Sequence, residues 1–142
     1  MTDGELQPRG PASVDLVASA LSASADFSDV AMFTRVFTRS FGEVLPPGMV
    51  DIEYSRTMGD RLAGRPGTPV ALRLSFPERR LELRATQGWP DAEVQQVVRG
   101  VVLSRRPVPI EEWIATLATE LTDLAERNAA ARAALASLLG TA

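Results

Sequence analysis

Asp51 and Glu53 are the residues whose type and spacing most directly indicate chemistry. They alternate with Val50, Ile52 and Tyr54, a pattern typical of a half-buried strand, so both carboxylates lie on its polar face. Two adjacent carboxylates perform acid–base chemistry when a cleft raises the pKa of one of them. The sequence indicates no such cleft. We therefore favour cross-strand ion pairs with arginines and predict no catalytic residue.

A second set of candidate residues lies in the Gly- and Pro-rich segment from Gly59 to Pro69. Backbone N–H groups and guanidinium groups here are able to cradle an anion, and the possible anion-binding residues are Arg61, Gly64, Arg65 and Gly67. The segment lacks the Gly-Lys-Ser/Thr sequence of a phosphate-binding P-loop. We predict a plain connection, with a small-molecule or anion-binding regulatory domain as the alternative function.

The amino-acid composition further limits the kinds of functional site that the chain is able to form. The chain of 142 residues has no histidine and no cysteine, which removes the usual transition-metal ligands and nucleophile–histidine catalysis. We therefore predict no metal, no cofactor and no enzymatic activity. The net charge of −3 disfavours nucleic acid as the main partner. No apolar run is long enough to span a membrane and the first residues lack a signal peptide, so we predict a cytoplasmic protein without membrane contact.

The element that most affects the predicted assembly is a C-terminal helix over residues 109–139. The segment has no interior Gly or Pro, and its apolar residues recur at three- and four-residue spacing. A helix of this length runs about 45 Å, longer than one face of a small domain requires. We predict that it forms a homodimer, although the same face is also suited to covering the protein's own sheet. The predicted interface residues are Leu117, Leu121, Leu124, Asn128, Leu135 and Leu138.

The remaining elements precede this helix. Residues 1–12 are predicted to be a disordered tail, and residues 13–142 a single domain that begins with two helices. Alternating apolar residues then predict strands near 50–55, 70–76 and 80–85, the last two forming a hairpin. Residues 92–104 fit either a helix or a strand, and their five valines favour a strand from about 94 to 104 with Gly100 at a bulge or a close approach.

The predicted fold is therefore α+β, with two layers: N-terminal helices, an antiparallel sheet of three to four strands and a long C-terminal helix. This order resembles small dimeric chaperone and adaptor folds, a likeness of fold alone. The predicted function is a non-enzymatic, cytoplasmic protein-interaction module, an adaptor or chaperone-like homodimer that presents its sheet or helices to another protein.

Overall fold

The computed structural model of the protein describes residues 14–24, 29–86 and 89–140. Within these residues the chain forms five helices and one five-stranded antiparallel sheet, which confirms the α+β prediction, with five strands instead of three to four. The predicted tail at 1–12 lies outside the described residues. The helices are α1 Val14–Ser24, α2 Val30–Phe41, α3 Met58–Ala63, α4 Ile110–Arg127 and α5 Ala129–Leu139. The strands are β1 Val50–Ser55, β2 Thr68–Ser75, β3 Arg79–Thr86, β4 Trp89–Val98 and β5 Val101–Pro107.

The sheet is a meander in which each strand pairs with the next along the chain, in the order β1-β2-β3-β4-β5. Helices α2 and α4 pack directly on one face, over strands β2 to β4, while α1 and α5 pack against these helices. The leucines of β2 and β3 that point toward the helices are fully buried because the strands alternate apolar and polar residues: Leu72, Leu74, Leu81 and Leu83.

An aromatic cluster joins the helical layer together. Phe33, Phe37 and Phe41 follow one face of α2, and the Phe37 and Phe41 rings stack with centroids 5.1 Å apart. Trp113 of α4 meets Phe33 edge-on at 5.8 Å and is fully buried. Asp29 caps α2 by accepting a hydrogen bond of 3.0 Å from the Met32 N–H. Helix α2 therefore contributes three of the largest fully buried side chains.

The predicted single strand from 94 to 104 is wrong, because the chain reverses at Arg99 and Gly100. Both residues have positive φ, 53° and 81°, as a two-residue turn between twisted strands requires. A Cβ added to Gly100 would have nothing within 4 Å, so this glycine serves the turn and not a close approach. The irregularity lies instead between Gln96 and Val97, where the pairing of β4 with β5 shifts.

The predicted continuous helix over 109–139 is also wrong. Asn128 has the extended angles φ −142° and ψ 114°, so it ends α4 and starts α5. Its side-chain oxygen accepts a hydrogen bond of 3.0 Å from the Ala131 N–H, which is the bond of a helix N-cap. The break lets α5 fold against α4, α1 and α2 of the same chain. In the described part of the chain, no helix combines the length and the apolar character that crossing a bilayer requires.

Candidate functional site

Strand β5 extends beyond the layer of helices. Among the described elements, β4 is the only one against which it packs substantially, and its other edge has no neighbouring strand. Six of its seven residues are exposed, so both of its faces meet solvent. A strand in this position contributes little to the core of its own chain, while its unpaired backbone groups form a template for another strand.

The half of β5 next to the turn is apolar. Val101 and Leu103 are 59% and 62% exposed, and Val98 at the end of β4 is 45% exposed. Val98 and Val101 lie side by side because they are register partners in the hairpin, and Leu103 follows two residues after Val101. Isolated exposed apolar residues are ordinary, but three such residues at the end of an edge hairpin are typical of an interaction surface.

The other half of β5 is charged and ends in a proline. Arg105 lies 3.5 Å from Glu93 of β4, and Arg106 lies 2.8 Å from Glu112 of α4. Pro107 has no N–H group to donate to a further strand. Charged residues, proline and bulges are devices by which proteins protect sheet edges. Strand β5 has the first two at this end, and nearer the turn its pairing with β4 skips Leu103.

The sheet face that points away from the helices carries a network of ion pairs. Arg73 lies 3.4 Å from Asp51 and 3.5 Å from Glu82, while Arg84 lies 3.1 Å from both Glu53 and Glu82. The hydrogen bond that Arg84 donates to Glu53, and to a smaller extent the one that it donates to Glu82, raises the pKa of the Arg84 guanidinium. Asp51 and Glu53 thus lie on one exposed face and each is paired with an arginine of a neighbouring strand, as predicted.

Sequence reasoning missed Gln95 at the centre of this face. It is 1% exposed, and its Nε2 atom donates to Glu93 at 2.6 Å and to Glu82 at 3.3 Å. The depression beside it, about 440 Å³, is bordered by the arginines and carboxylates of the same network. The arginines of this face are bound to Glu82 and Glu93, whereas the buried Oε1 atom of Gln95 has no hydrogen-bond partner within the described residues.

Burial affects one carboxyl at the edge of the helical layer. Glu120 of α4 sits behind β4, where burial raises its pKa above the usual value and the guanidinium of Arg79, 3.1 Å away, partly offsets the effect. Within residues 14–24, 29–86 and 89–140, no group of three acidic, histidine or cysteine side chains is arranged to hold a metal ion.

The segment proposed to bind an anion contains a short helix, α3, that the sequence did not reveal. Thr57 and Asp60 form a capping box: Thr57 Oγ1 accepts from the Asp60 N–H, and Asp60 Oδ2 accepts from the Thr57 N–H, both at 3.0 Å. Arg65 Nε donates to the same carboxylate at 3.0 Å. These hydrogen bonds, with the Thr57 backbone contributing most, lower the pKa of Asp60.

The donors of this segment therefore already surround an anion, the carboxylate of Asp60. Gly64 ends α3 in the left-handed conformation, and Gly67 packs against the end of β1. Arg61 lies in the last turn of α3. The predicted residues are close in the chain, but each of the glycines and Arg65 has a structural role that requires no ligand.

The residues predicted to form a helical interface lie mostly inside one chain. Leu117, Leu121 and Leu135 are at most 1% exposed, and Leu124 is 8% exposed. Leu138 is partly buried against the same core, and Asn128 caps α5. A partner helix would gain almost no apolar burial from these leucines, so they leave the predicted homodimer without an interface at this place.

Comparison of the chain with known protein families, curated proteins and solved structures finds no match. What the protein does must therefore follow from its own geometry. The free edge of β5 is the feature that the core does not explain. The sequence contains one signal for it, the Arg99–Gly100 pair between valines, but arginine is uncommon at positive φ, so the pair does not by itself predict a turn.

Proposed function

We propose that the protein is a non-enzymatic protein-interaction module, adaptor or chaperone-like in use, and that β5 is its binding element. The observation that carries the proposal is the position of β5, which pairs on one side only and exposes Val101 and Leu103 beyond the helices. An added strand from a polypeptide would hydrogen-bond to the free edge and cover these side chains.

Physical magnitudes support this use of the strand. Complete burial of a valine or leucine contributes roughly 1.5–3 kcal/mol, so covering side chains that are 59% and 62% exposed is favourable by about 1–2 kcal/mol each. Backbone hydrogen bonds to the edge add specificity for an extended segment. The apolar end of β5 therefore provides affinity, and Pro107 limits where the added strand is able to pair.

The absence of enzymatic activity in the proposal is supported by three carboxylates that are already held by ion pairs or hydrogen bonds. The carboxylates of Asp51 and Glu53 are held by arginines, and that of Asp60 by Thr57 and Arg65. An acid–base residue needs a proton-transfer partner in a substrate and a pKa near the working pH. Neither exposed ion pairs nor a capping box provides this combination. A cytoplasmic location belongs to the same proposal, and fractionation of cells that express a tagged chain tests it.

A matched pair of variants tests the proposed binding element. Leu103→Asp places a charge on the edge of β5, whereas Leu62→Asp places the same charge on α3, where the leucine is 83% exposed. Tagged wild-type protein is immobilised and used to capture binding proteins from a lysate of the native organism. Untagged copies of the chain count among the proteins that it is able to capture. Each retained protein is then purified and titrated against the three chains.

We expect Leu103→Asp to weaken at least one such complex tenfold or more, and Leu62→Asp to leave it within about twofold. A tenfold loss corresponds to about 1.4 kcal/mol, in line with loss of one buried leucine. If every complex, including self-association, binds Leu103→Asp as tightly as wild type, β5 is not the binding element and the proposal fails.

A further inference from the structure

We infer that a site separate from β5, the cleft between α2 and the edge strand β1, binds a small aromatic carboxylate. The cleft has a volume of about 310 Å³, at the small end of the range for ligand-binding pockets. Residues of α2 line one wall, and Ile52 and Tyr54 of β1 with Pro69 of β2 line the other. Strands β1 and β5 are the opposite edges of the sheet, so the inference goes beyond the proposed function and does not rest on it.

The α2 wall is positively charged. Arg35 and Arg39 line the cleft one helical turn apart, and residues at this spacing lie on the same side of a helix. No ion pair joins either of them to a carboxylate of the described residues, whereas six other arginines there have such a partner. Two like charges at this spacing repel each other. A bound carboxylate would relieve the repulsion and accept hydrogen bonds from both guanidinium groups.

This cleft differs in charge from the two depressions beside β4. Acidic side chains border both of those, Glu82 and Glu93 on one, Glu78 and Glu120 on the other. None of the described residues that line the cleft between α2 and β1 is acidic. In a chain with a net charge of −3, a cleft whose charged groups are arginines favours an anion over a cation or a zwitterion.

The inner end of the α2 wall holds a hydroxyl group that the described part of the chain leaves unused. Thr34 lines the cleft and is 1% exposed, and its Oγ1 atom has no hydrogen-bond partner there. Threonines in helices commonly donate to the carbonyl oxygen four residues earlier. The other threonines of the described helices all do so: Thr38, Thr116, Thr119 and Thr122. A buried hydroxyl without a partner costs free energy, which a bound acceptor would recover.

The same hydroxyl is able to turn toward a ligand. Threonine in a helix adopts two χ1 rotamers, and a change between them moves the hydroxyl to another side of Cβ. A carboxylate on the α2 wall would then accept hydrogen bonds from the Thr34 hydroxyl and from the guanidinium groups of Arg35 and Arg39.

The opposite wall is suited to an aromatic ring. Pro69 is buried, Ile52 is half-buried, and Tyr54 is 45% exposed. A flat ring would stack on the tyrosine and cover the two aliphatic side chains. An inorganic anion would use only the α2 wall. The anion site predicted from the sequence lies in the segment from Gly59 to Pro69, and the cleft shares only Pro69 with that segment.

Three probes separate the two halves of the proposed ligand. Benzoate has a ring and a carboxylate, benzyl alcohol has the ring without the charge, and acetate has the carboxylate without the ring. The ¹⁵N-labelled full chain is titrated with each probe at physiological salt, which screens attraction to scattered surface charges. We expect benzoate to shift the amide signals of Arg35 and Tyr54 with a dissociation constant in the millimolar range, since it has few atoms. The other two probes should bind at least about fivefold more weakly, because each contacts one wall only.

A matched pair of variants tests the charge of the cleft. Arg35→Gln removes a charge from the α2 wall, whereas Arg132→Gln removes the same charge from an exposed position on α5 that does not line the cleft. We expect benzoate to bind Arg35→Gln at least about fivefold more weakly, and Arg132→Gln within about twofold of wild type. Leu103→Asp, at the other edge of the sheet, should bind benzoate as wild type does.

The variant Thr34→Val tests the buried hydroxyl. Since Oγ1 has no partner within the described residues, replacing it with a methyl group should not lower the melting temperature. Benzoate should bind this variant at least about threefold more weakly, because one hydrogen bond to the carboxylate is lost. A lower melting temperature would show that the hydroxyl is already bound in the free protein, and an unchanged affinity would show that the ligand does not use it. Either result overturns the inference.

Other results would overturn it as well. They are a benzoate titration that shifts no amide signal of the cleft, equal binding of benzoate and either of the other probes, equal affinities of Arg35→Gln and Arg132→Gln, and weaker binding to Leu103→Asp. Failure of the benzoate site leaves the proposed function standing, because the complexes of β5 are measured separately with Leu103→Asp and Leu62→Asp.

Discussion

At the scale of single residues, Gly67 shows how closely the connection after α3 packs on the end of β1. Its φ is +98°, and a Cβ added there would lie 2.5 Å from the backbone oxygen of Ser55. Backbone atoms cannot yield as a flexible side chain does, so an alanine at this position forces the connection away from β1. Gly64 also has positive φ, +73°, but a Cβ there has nothing within 4 Å.

These two glycines form a matched pair for a stability measurement. We expect Gly64→Ala to lower the free energy of unfolding by about 1 kcal/mol, the cost of the left-handed backbone alone. Gly67→Ala carries the same cost and the steric conflict, so its loss should be at least about 2 kcal/mol. Urea unfolding of both variants gives the difference. Equal losses would show that the contact with Ser55 is not tight.

Asp60 gives the connection a dependence on pH. Its pKa is lowered from 3.8, first by the hydrogen bond from the Thr57 N–H and then by that from Arg65. A lowered pKa in the folded state means that the ionised form is favoured there. Its stabilising effect is thus present above pH 3.8 and is lost as the pH falls through the folded-state pKa.

We therefore expect the hydrogen bond from the Thr57 N–H to the Asp60 carboxylate to weaken as the pH falls below 3.8. The Thr57 amide proton, followed by NMR during acid titration, should shift with an apparent pKa below that value. In Asp60→Asn, which keeps a side-chain oxygen without the charge, this transition should vanish. A Thr57 amide that titrates at or above pH 3.8 would contradict the hydrogen-bond pattern.

At the scale of elements, Asn128 decides whether the C-terminal segment is one helix or two. As the N-cap of α5 it accepts the Ala131 N–H at 3.0 Å, so Asn128→Ala should lower the free energy of unfolding by about 1 kcal/mol. Asn128→Asp retains an acceptor and should cost less than about 0.5 kcal/mol. Thermal or urea unfolding measures both.

The variant Asn128→Leu distinguishes a single continuous helix that dimerises from two helices that are joined at a cap. In a continuous helical dimer, a leucine at a seam position would stabilise the assembly. In two helices joined at a cap, the same change removes the capping oxygen and destabilises the protein by about 1 kcal/mol. A gain in stability for Asn128→Leu would restore the single-helix prediction.

At the scale of the whole molecule, the helices use their apolar faces within one chain. Leu135 of α5 is fully buried, whereas Leu16 of α1 is 51% exposed. We expect Leu135→Ala to cost about 2–5 kcal/mol, and Leu16→Ala less than about 1 kcal/mol. The melting temperature of Leu135→Ala relative to wild type should not depend on protein concentration, because no partner chain is involved. A difference that changes with dilution would place Leu135 in an interface.

The layers of the molecule are unequal in width, and this inequality produces the candidate site. The helices on the sheet lie over β2 to β4, and β1 packs its Val50 and Ile52 against the same core. Strand β5 is the remaining strand and has no helix above it. The sheet is therefore one strand wider than the helical layer, and the extra strand is the one that exposes Val101 and Leu103.

The sequence by itself determined the local structure. Period-two alternation in 50–55, 70–76 and 80–85 predicted strands β1, β2 and β3, because side-chain periodicity is a property of each segment alone. The polar face with Asp51 and Glu53 followed from the same alternation.

Only the tertiary structure decided how far each element extends and which surfaces remain free. The apolar spacing of residues 109–139 is equally compatible with one helix and with two, since a cap at Asn128 is stabilised by the contacts of α5 with α1, α2 and α4. Valine-rich residues 92–104 are compatible with one strand or a hairpin, and the turn at Arg99 and Gly100 follows from pairing between β4 and β5. Exposure of Leu103 depends on where the helical layer ends, and that is set by packing between segments distant in the chain.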